Sequence, residues 1–244
     1  MRLLLPALLG LLLAVQPGTA SASMFDQIVG VLAGIKAGGP GKALSEQDIV
    51  AGLKQALEKG TGRTVKRVGK FNGYWKNPKI RIPLPDSLQR PASLLRKAGL
   101  GKYADDLELR LNRAAEKAVP LAKPIFLRAI KGMTFTDVKN IWQGPDDAAT
   151  RYFERKTTPD MTHTFTPLVH KELEKSGALH SWRNFASRYS SLPFVGGYLK
   201  DDLDAYATKM ALKGMFSVLA GEEAKIRHDP AARTTELLRK VFGQ

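Results

Sequence analysis

The chain of 244 residues has no cysteine. That excludes disulfides, thiolate zinc sites, iron–sulfur clusters and a cysteine nucleophile. Acidic residues are scarce beside basic ones, 23 against 38, for a formal net charge of +15 at pH 7. The imbalance matches an anionic partner better than a cationic one. Histidines number four, and His163 and His170 stand seven residues apart. On a helix that is two turns, too far for the i, i+4 clasp of one metal. No G-x-x-x-x-G-K-[ST] or G-x-G-x-x-G loop appears, and no G-x-S-x-G or S-x-x-K nucleophile pattern. The sequence therefore assigns no catalytic residue, no metal ligand and no cofactor, and an enzyme is the weaker expectation.

What is present begins with an address. Arg2 precedes an apolar run from Leu3 to Val15, and Ala20-Ser21-Ala22 fits a small-residue cleavage site. Thirteen residues at about 1.5 Å each span roughly 20 Å, short of the ~30 Å hydrocarbon core, so this reads as a secretory signal peptide and not an anchor. The expectation is cleavage after Ala22, with Ala20 as the near alternative. Only Arg2 is lost among the charges. No cysteine follows the run, so no lipid can be attached there, and no later stretch approaches 18 apolar residues. The expected product is periplasmic and soluble.

The remainder reads as helices. Phe25, Ile28, Val29, Leu32 and Ile35 have helical spacing, and a Gly-rich connector, 36–42, follows. Ser45 is placed to cap a helix whose apolar stripe is Ile49, Leu53, Ala56, Leu57, Thr64 and Val68, with Gly60 and Gly62 as weak points. Residues 71–91 carry Pro78, Pro83, Pro85 and Pro91 and read as an extended, packed loop, with a short helix over 87–98 ended by Gly99. A helix over 100–119 meets Pro120 and Pro124, which predict a kink or a restart before Gly132. Thr134 or Thr136 starts a short helix. Gly144-Pro145 breaks the chain, and Asp146 begins another helix. Thr158-Pro159, a cap followed by proline, predicts a separate helix over 160–175, stopped at Ser176-Gly177. Further helices are expected over 179–190, from Asp201 or Asp202 through Leu219, and after Asp229-Pro230. No hairpin signal occurs. The expected class is all-α: a single-domain irregular helical bundle over 43–244, after a signal peptide (1–22) and an N-terminal helix with its linker (23–42).

Several segments together resemble the bacterial domain-of-unknown-function 4197 family. They are Asn77 to Pro85, Leu111 to Glu116 running into Lys123 to Phe126, Asp146 to Phe153, Leu192 to Val195, and Asp229 to Thr235. The resemblance covers roughly residues 43–243. It implies a helical, exported envelope protein, with no activity and no site residues to carry over.

The charge is concentrated. Between Lys54 and Lys102 the basic residues are Lys54, Lys59, Arg63, Lys66, Arg67, Lys70, Lys76, Lys79, Arg81, Arg90, Arg96, Lys97 and Lys102, against Glu58 and Asp86 alone. Lys59, Arg63, Lys66, Arg67 and Lys70 recur at three- and four-residue steps, opposite the apolar stripe. Like charges at that spacing cost a few tenths of a kcal/mol per pair. The ridge is therefore either used or merely tolerated. In use, it is an anion-binding face made of Lys59, Arg63, Lys66, Arg67, Lys70, Lys76, Lys79 and Arg81, with Phe71, Tyr74 and Trp75 beside it for stacking or for a headgroup layer. Otherwise it is a solvated face whose neighbouring aromatics belong to the core. The expected partner is an anionic envelope component: phospholipid, lipopolysaccharide or acidic glycan. Nucleic acid is a weaker candidate, and a protein partner is not specified.

Two other readings stay open. Trp142, Trp182, Phe185 and Tyr189 suit an apolar ligand pocket or the core, which would make the bundle a carrier. Asp146 and Asp147 suit either a hydrolytic or metal-binding pair or the capping of a helix N-terminus.

Overall fold

The computed structural model describes residues 46–177, 180 and 202–229. The expected leader, the 24–36 helix and linker, Ser45, the 179–190 helix, Leu192 to Val195 and the segment after Asp229 lie outside the described residues. The described elements all fall in one compact unit, Ser45–Gln244. They are α1 (Glu46–Val68), α2 (Asp86–Lys97), α3 (Lys102–Ala118), a 3-10 turn (Val119–Leu121), α4 (Ala122–Lys131), α5 (Phe135–Trp142), α6 (Ala148–Lys175) and α7 (Leu203–His228). No strand occurs among the described residues, and the all-α expectation holds.

Helices α6 and α7 pack along each other most extensively. Helix α3 lies against both, and α1 bridges α4 and α7. The periodicity that defined α1 is the face it buries: Leu53, Ala56, Thr64 and Val68 are buried and Leu57 half-buried. Gly60 and Gly62 do not interrupt it. At the centre, Phe126 meets Phe153 (5.2 Å, 78°) and Phe216 (6.3 Å, 85°) edge to face. Such pairs add about 0.5–1.5 kcal/mol each beyond area burial.

Proline behaves differently from the sequence expectation in α6. The 160–175 helix is not separate: α6 runs unbroken from Ala148 to Lys175, with Pro159 and Pro167 inside it. Both prolines are exposed, so the carbonyls their missing N–H groups leave, those of Arg155 and His163, face the solvent side. Thr158 is no cap; its hydroxyl donates to the carbonyl of Glu154, as Thr157 does to Phe153, Thr164 to Asp160 and Thr166 to Thr162. Pro91 sits inside α2, within the helix expected over 87–98, which starts at Asp86 directly after Pro85. The expected restart at Pro120 is present as the 3-10 turn.

The helix ends follow local chemistry. Thr134 and Asp137 form a reciprocal capping box on α5, and hydrogen bonds from Thr134 hold the Asp137 carboxyl below the usual carboxylate range. Asp202 caps α7 through the amides of Asp204 and Ala205. Gly99, at φ +76°, closes α2: the Leu100 amide reaches Leu95 O (2.8 Å) and its own reaches Arg96 O (3.2 Å).

Of the stretch 71–91 expected as an extended, packed loop, 71–80 fold into turns, 81–85 are extended and 86–91 belong to α2; the loop 69–85 is packed. Ile80, Ile82 and Leu84 are buried. What holds it is one face of α3. Asn112 takes the amide of Ile82 on Oδ1 (2.8 Å) and gives Nδ2 to the carbonyl of Ile82 (2.8 Å). One turn on, Glu116 Oε1 accepts the amides of Tyr74 (3.0 Å) and Trp75 (3.1 Å). This pairing docks Asn77–Pro85 onto Leu111–Glu116.

Candidate functional site

The basic face starts on α1 and continues into the loop. Its residues divide by type. Arg67 Nη1 lies 2.9 Å from Glu222 Oε1 of α7, and Arg63 Nε lies 3.9 Å from the other oxygen of the same carboxylate, which also faces Lys225 at 3.5 Å. Arg81 Nε lies 2.9 Å from Glu108, and its guanidinium stacks 3.8 Å over the Trp75 ring. The three arginines are thus tied to carboxylates that lie outside the basic window in sequence. The lysines are not: Lys59, Lys66, Lys70, Lys76 and Lys79 are exposed and make no ion pair among the described residues. Lys54, at the start of the window, donates to the carbonyl of Met133 (2.9 Å) and braces the α4–α5 connection.

The three aromatics also separate. Tyr74 is wholly buried, and its hydroxyl donates to Ala211 O at 2.6 Å. Burial, reinforced by the Glu116 charge, pushes that phenol far above its ordinary range, so it stays protonated. Tyr74 is a core residue, unavailable for surface stacking. Trp75 is half-buried beneath Arg81. Phe71 alone stands out into solvent, 74% exposed, with the Arg113 guanidinium 3.7 Å over its ring. Arg113 is held by Glu116 (2.5 Å) and by Asn72 Oδ1 (2.8 Å).

The other candidate residues are dispersed. Asp147 is the N-cap residue of α6 by position, yet its side chain makes no cap bond and pairs with Arg151 at 2.8 Å. Asp146 pairs with His228 at 2.7 Å. The capping expected of them falls to Glu223, which reaches across from α7. It accepts the amides of Ala149 (2.9 Å) and Thr150 (2.8 Å) and the Thr150 hydroxyl (2.9 Å). Arg227 backs Glu223 at 3.0 Å and donates to the carbonyl of Ile141. Glu223 lies 74 residues from the end it caps; only an acid on the buried side of the α7 pattern hints at it. His170 sits between Asp204 (2.6 Å) and Glu174 (3.4 Å), and His163 is exposed. Among the described residues no group of three or more His, Asp or Glu side chains could hold a metal ion.

Two hollows lie among the described residues. One is an apolar crevice of about 30 Å³ among Leu53, Leu57, Phe153, Leu219 and Ile226. The other is an open cleft of about 270 Å³ between α4 and α6, edged by Arg128, Lys156 and Asp160. Trp142 is half-buried and lines neither; Trp182, Phe185 and Tyr189 lie outside the described residues.

A family profile described as protein of unknown function, DUF4197, matches residues 43–243. The chain belongs to the DUF4197 family. No curated protein and no solved structure matches it. Two of the segments that carried the resemblance meet directly in this DUF4197 fold, Asn77–Pro85 clamped by Leu111–Glu116, and a third, Asp146–Phe153, begins the helix that Glu223 caps.

Proposed function

We propose that this DUF4197 protein is an exported, non-enzymatic accessory protein whose lysine face engages an anionic component of the cell envelope. Residues 1–22 are its leader, 23–42 an N-terminal segment, and 43–244 the helical domain. The observation that carries the reading is the division of the basic window. Within the proposed face Arg63 and Arg67 share Glu222 and Arg81 pairs with Glu108, while Lys59, Lys66, Lys70, Lys76 and Lys79 are exposed and make no ion pair among the described residues. Each lysine near an anionic surface contributes about 1 kcal/mol, so several together give a salt-sensitive attachment. Among the described residues no helix is long and apolar enough to cross a membrane, which agrees with peripheral attachment.

The carrier reading gains no such support. A crevice of about 30 Å³ falls well below the roughly 300 Å³ at which small-molecule sites begin. Hydrolysis by Asp146 and Asp147 gains none either, since Asp146 is bound to the His228 ring and Asp147 to Arg151.

The test is a charge reversal that spares the arginines. Lys59→Glu, Lys66→Glu and Lys70→Glu together should elute from phosphocellulose at markedly lower salt than the native chain, with an unchanged melting curve. Arg63 is left intact because a glutamate there would face Glu222. Retention equal to the native protein's would overturn the reading. The mass of the exported form checks the leader: the expected N-terminus is Ser23.

A further inference from the structure

The end of α1 carries more than charge. Phe71 is the most exposed of the large hydrophobic side chains described, at 74%. A lone exposed apolar residue needs no explanation. This one is held out. Asn72 beside it takes the left-handed conformation, φ +64°, and its side chain is bound by Arg113. Arg113 lies over the Phe71 ring, and Glu116 fixes the next amides, those of Tyr74 and Trp75. The backbone that follows the ring is pinned, and a guanidinium covers one face of the ring.

A second apolar group lies at the same end. A Cβ on Gly69 would come within 3.2 Å of Pro120 Cδ, so the turn abuts the 3-10 segment. Leu121 of that segment is 37% exposed. Lys66 and Lys70 precede Phe71, and Lys123 follows Leu121. All three are exposed and make no ion pair among the described residues. A soluble polyanion would satisfy these lysines and leave Phe71 and Leu121 in water. A bilayer satisfies both: ammonium groups at lipid phosphates, an aromatic ring at the headgroup–acyl boundary.

We infer that Phe71 and Leu121 form the apolar tip of a membrane-docking edge, ringed by Lys66, Lys70 and Lys123, that seats the protein on a bilayer containing anionic phospholipid. This rests on the proposed attachment through the lysine face and adds the partner and the point of insertion.

The absence of cysteine makes the test clean. Phe71→Cys carries a single environment-sensitive fluorophore; Ser93→Cys, exposed on α2, carries it as control. The purified exported protein is mixed with vesicles of phosphatidylethanolamine and phosphatidylglycerol, or of phosphatidylcholine alone. The expected result is a blue shift and quenching by brominated acyl chains at position 71 only, with the anionic vesicles only. Phe71→Ser should weaken co-sedimentation about tenfold with an unchanged melting curve, and Phe71→Leu should restore most of it. A silent probe at 71 on protein that still sediments, or undiminished sedimentation of Phe71→Ser, overturns the inference and leaves lysine-face attachment standing. So does phosphocellulose retention without any vesicle binding, which would point to an acidic glycan. Failure to bind either probe overturns the attachment itself.

Discussion

Glu116 and Glu223 each accept from two backbone amides and face an arginine. Removing a buried carboxylate leaves its donors unpaired, which costs more than the bond itself was worth. Glu116→Ala strands the amides of Tyr74 and Trp75 and removes the carboxylate that faces Arg113. A loss of about 3 kcal/mol is expected in urea unfolding, with Glu116→Gln milder because its oxygen still accepts the amides. Glu223→Ala should cost about 2 kcal/mol by the loss of the α6 cap. Asp147→Ala, an exposed pair with Arg151, should change thermal stability by less than about 1 kcal/mol. The reverse order would mean that Asp147, the cap residue by sequence position, does the capping after all. The α5 box adds a pH dependence. The Asp137 carboxyl is held below its ordinary value by bonds from Thr134, so the folded state binds its proton less readily than the unfolded chain does. Its contribution is fully present above the unfolded value near 4 and fades as pH falls through the depressed one. The stability gap between native protein and Asp137→Asn should therefore close in acid and be widest near neutrality.

At the scale of elements, close packing and proline tolerance decide what each helix accepts. Gly214 of α7 lies under the loop 69–85: a Cβ there would stand 2.8 Å from the Tyr74 ring and 3.1 Å from Ile80 Cβ. Neither neighbour can yield, since the Tyr74 hydroxyl is bonded to Ala211 and Ile80 is buried. Gly214→Ala should destabilise by about 1–3 kcal/mol, the range for overpacking, despite alanine's better helix propensity. Pro159 is the opposite case. It is exposed and interior to α6, and Pro159→Ala restores a donor to the Arg155 carbonyl. A gain of about 1 kcal/mol in thermal unfolding is expected, less than the ~3 kcal/mol cost of inserting a proline because the surrounding helix is already adapted to it.

For the whole molecule, the charge asymmetry is a statement about association. A net charge of +15, with part of the basic window paired internally with α7 and α3 carboxylates, leaves lysines as most of its exposed cations without an ion pair among the described residues. Attachment to an anionic surface should weaken steeply between about 50 and 200 mM salt. Each Lys→Glu change at 59, 66 or 70 should flatten that salt dependence, measured by co-sedimentation. Arg67→Glu should instead lower stability, because it sets a second carboxylate against Glu222.

The helical class, the membership of α1 and α3 faces in the core and a helix start at Thr134 or Thr136 were legible in the sequence, because each rests on neighbours within one or two turns. The basic window was legible too, as a count of charges. What sequence could not decide is where distant groups land. The carboxylates that neutralise Arg63, Arg67 and Arg81 come from α7 and α3, and the cap of α6 comes from Glu223 on α7. Tyr74 and Phe71, three residues apart and alike in local pattern, part company because Glu116 and Arg113 pin the turn between them and send one ring to the core and the other to solvent. Pro159 reads as a helix start by its neighbours and becomes helix interior because α6 buries a continuous face against α3, α4 and α7. Local periodicity determines which faces are apolar; only tertiary packing determines which polar groups meet, and the meeting decides which cations remain available at the surface.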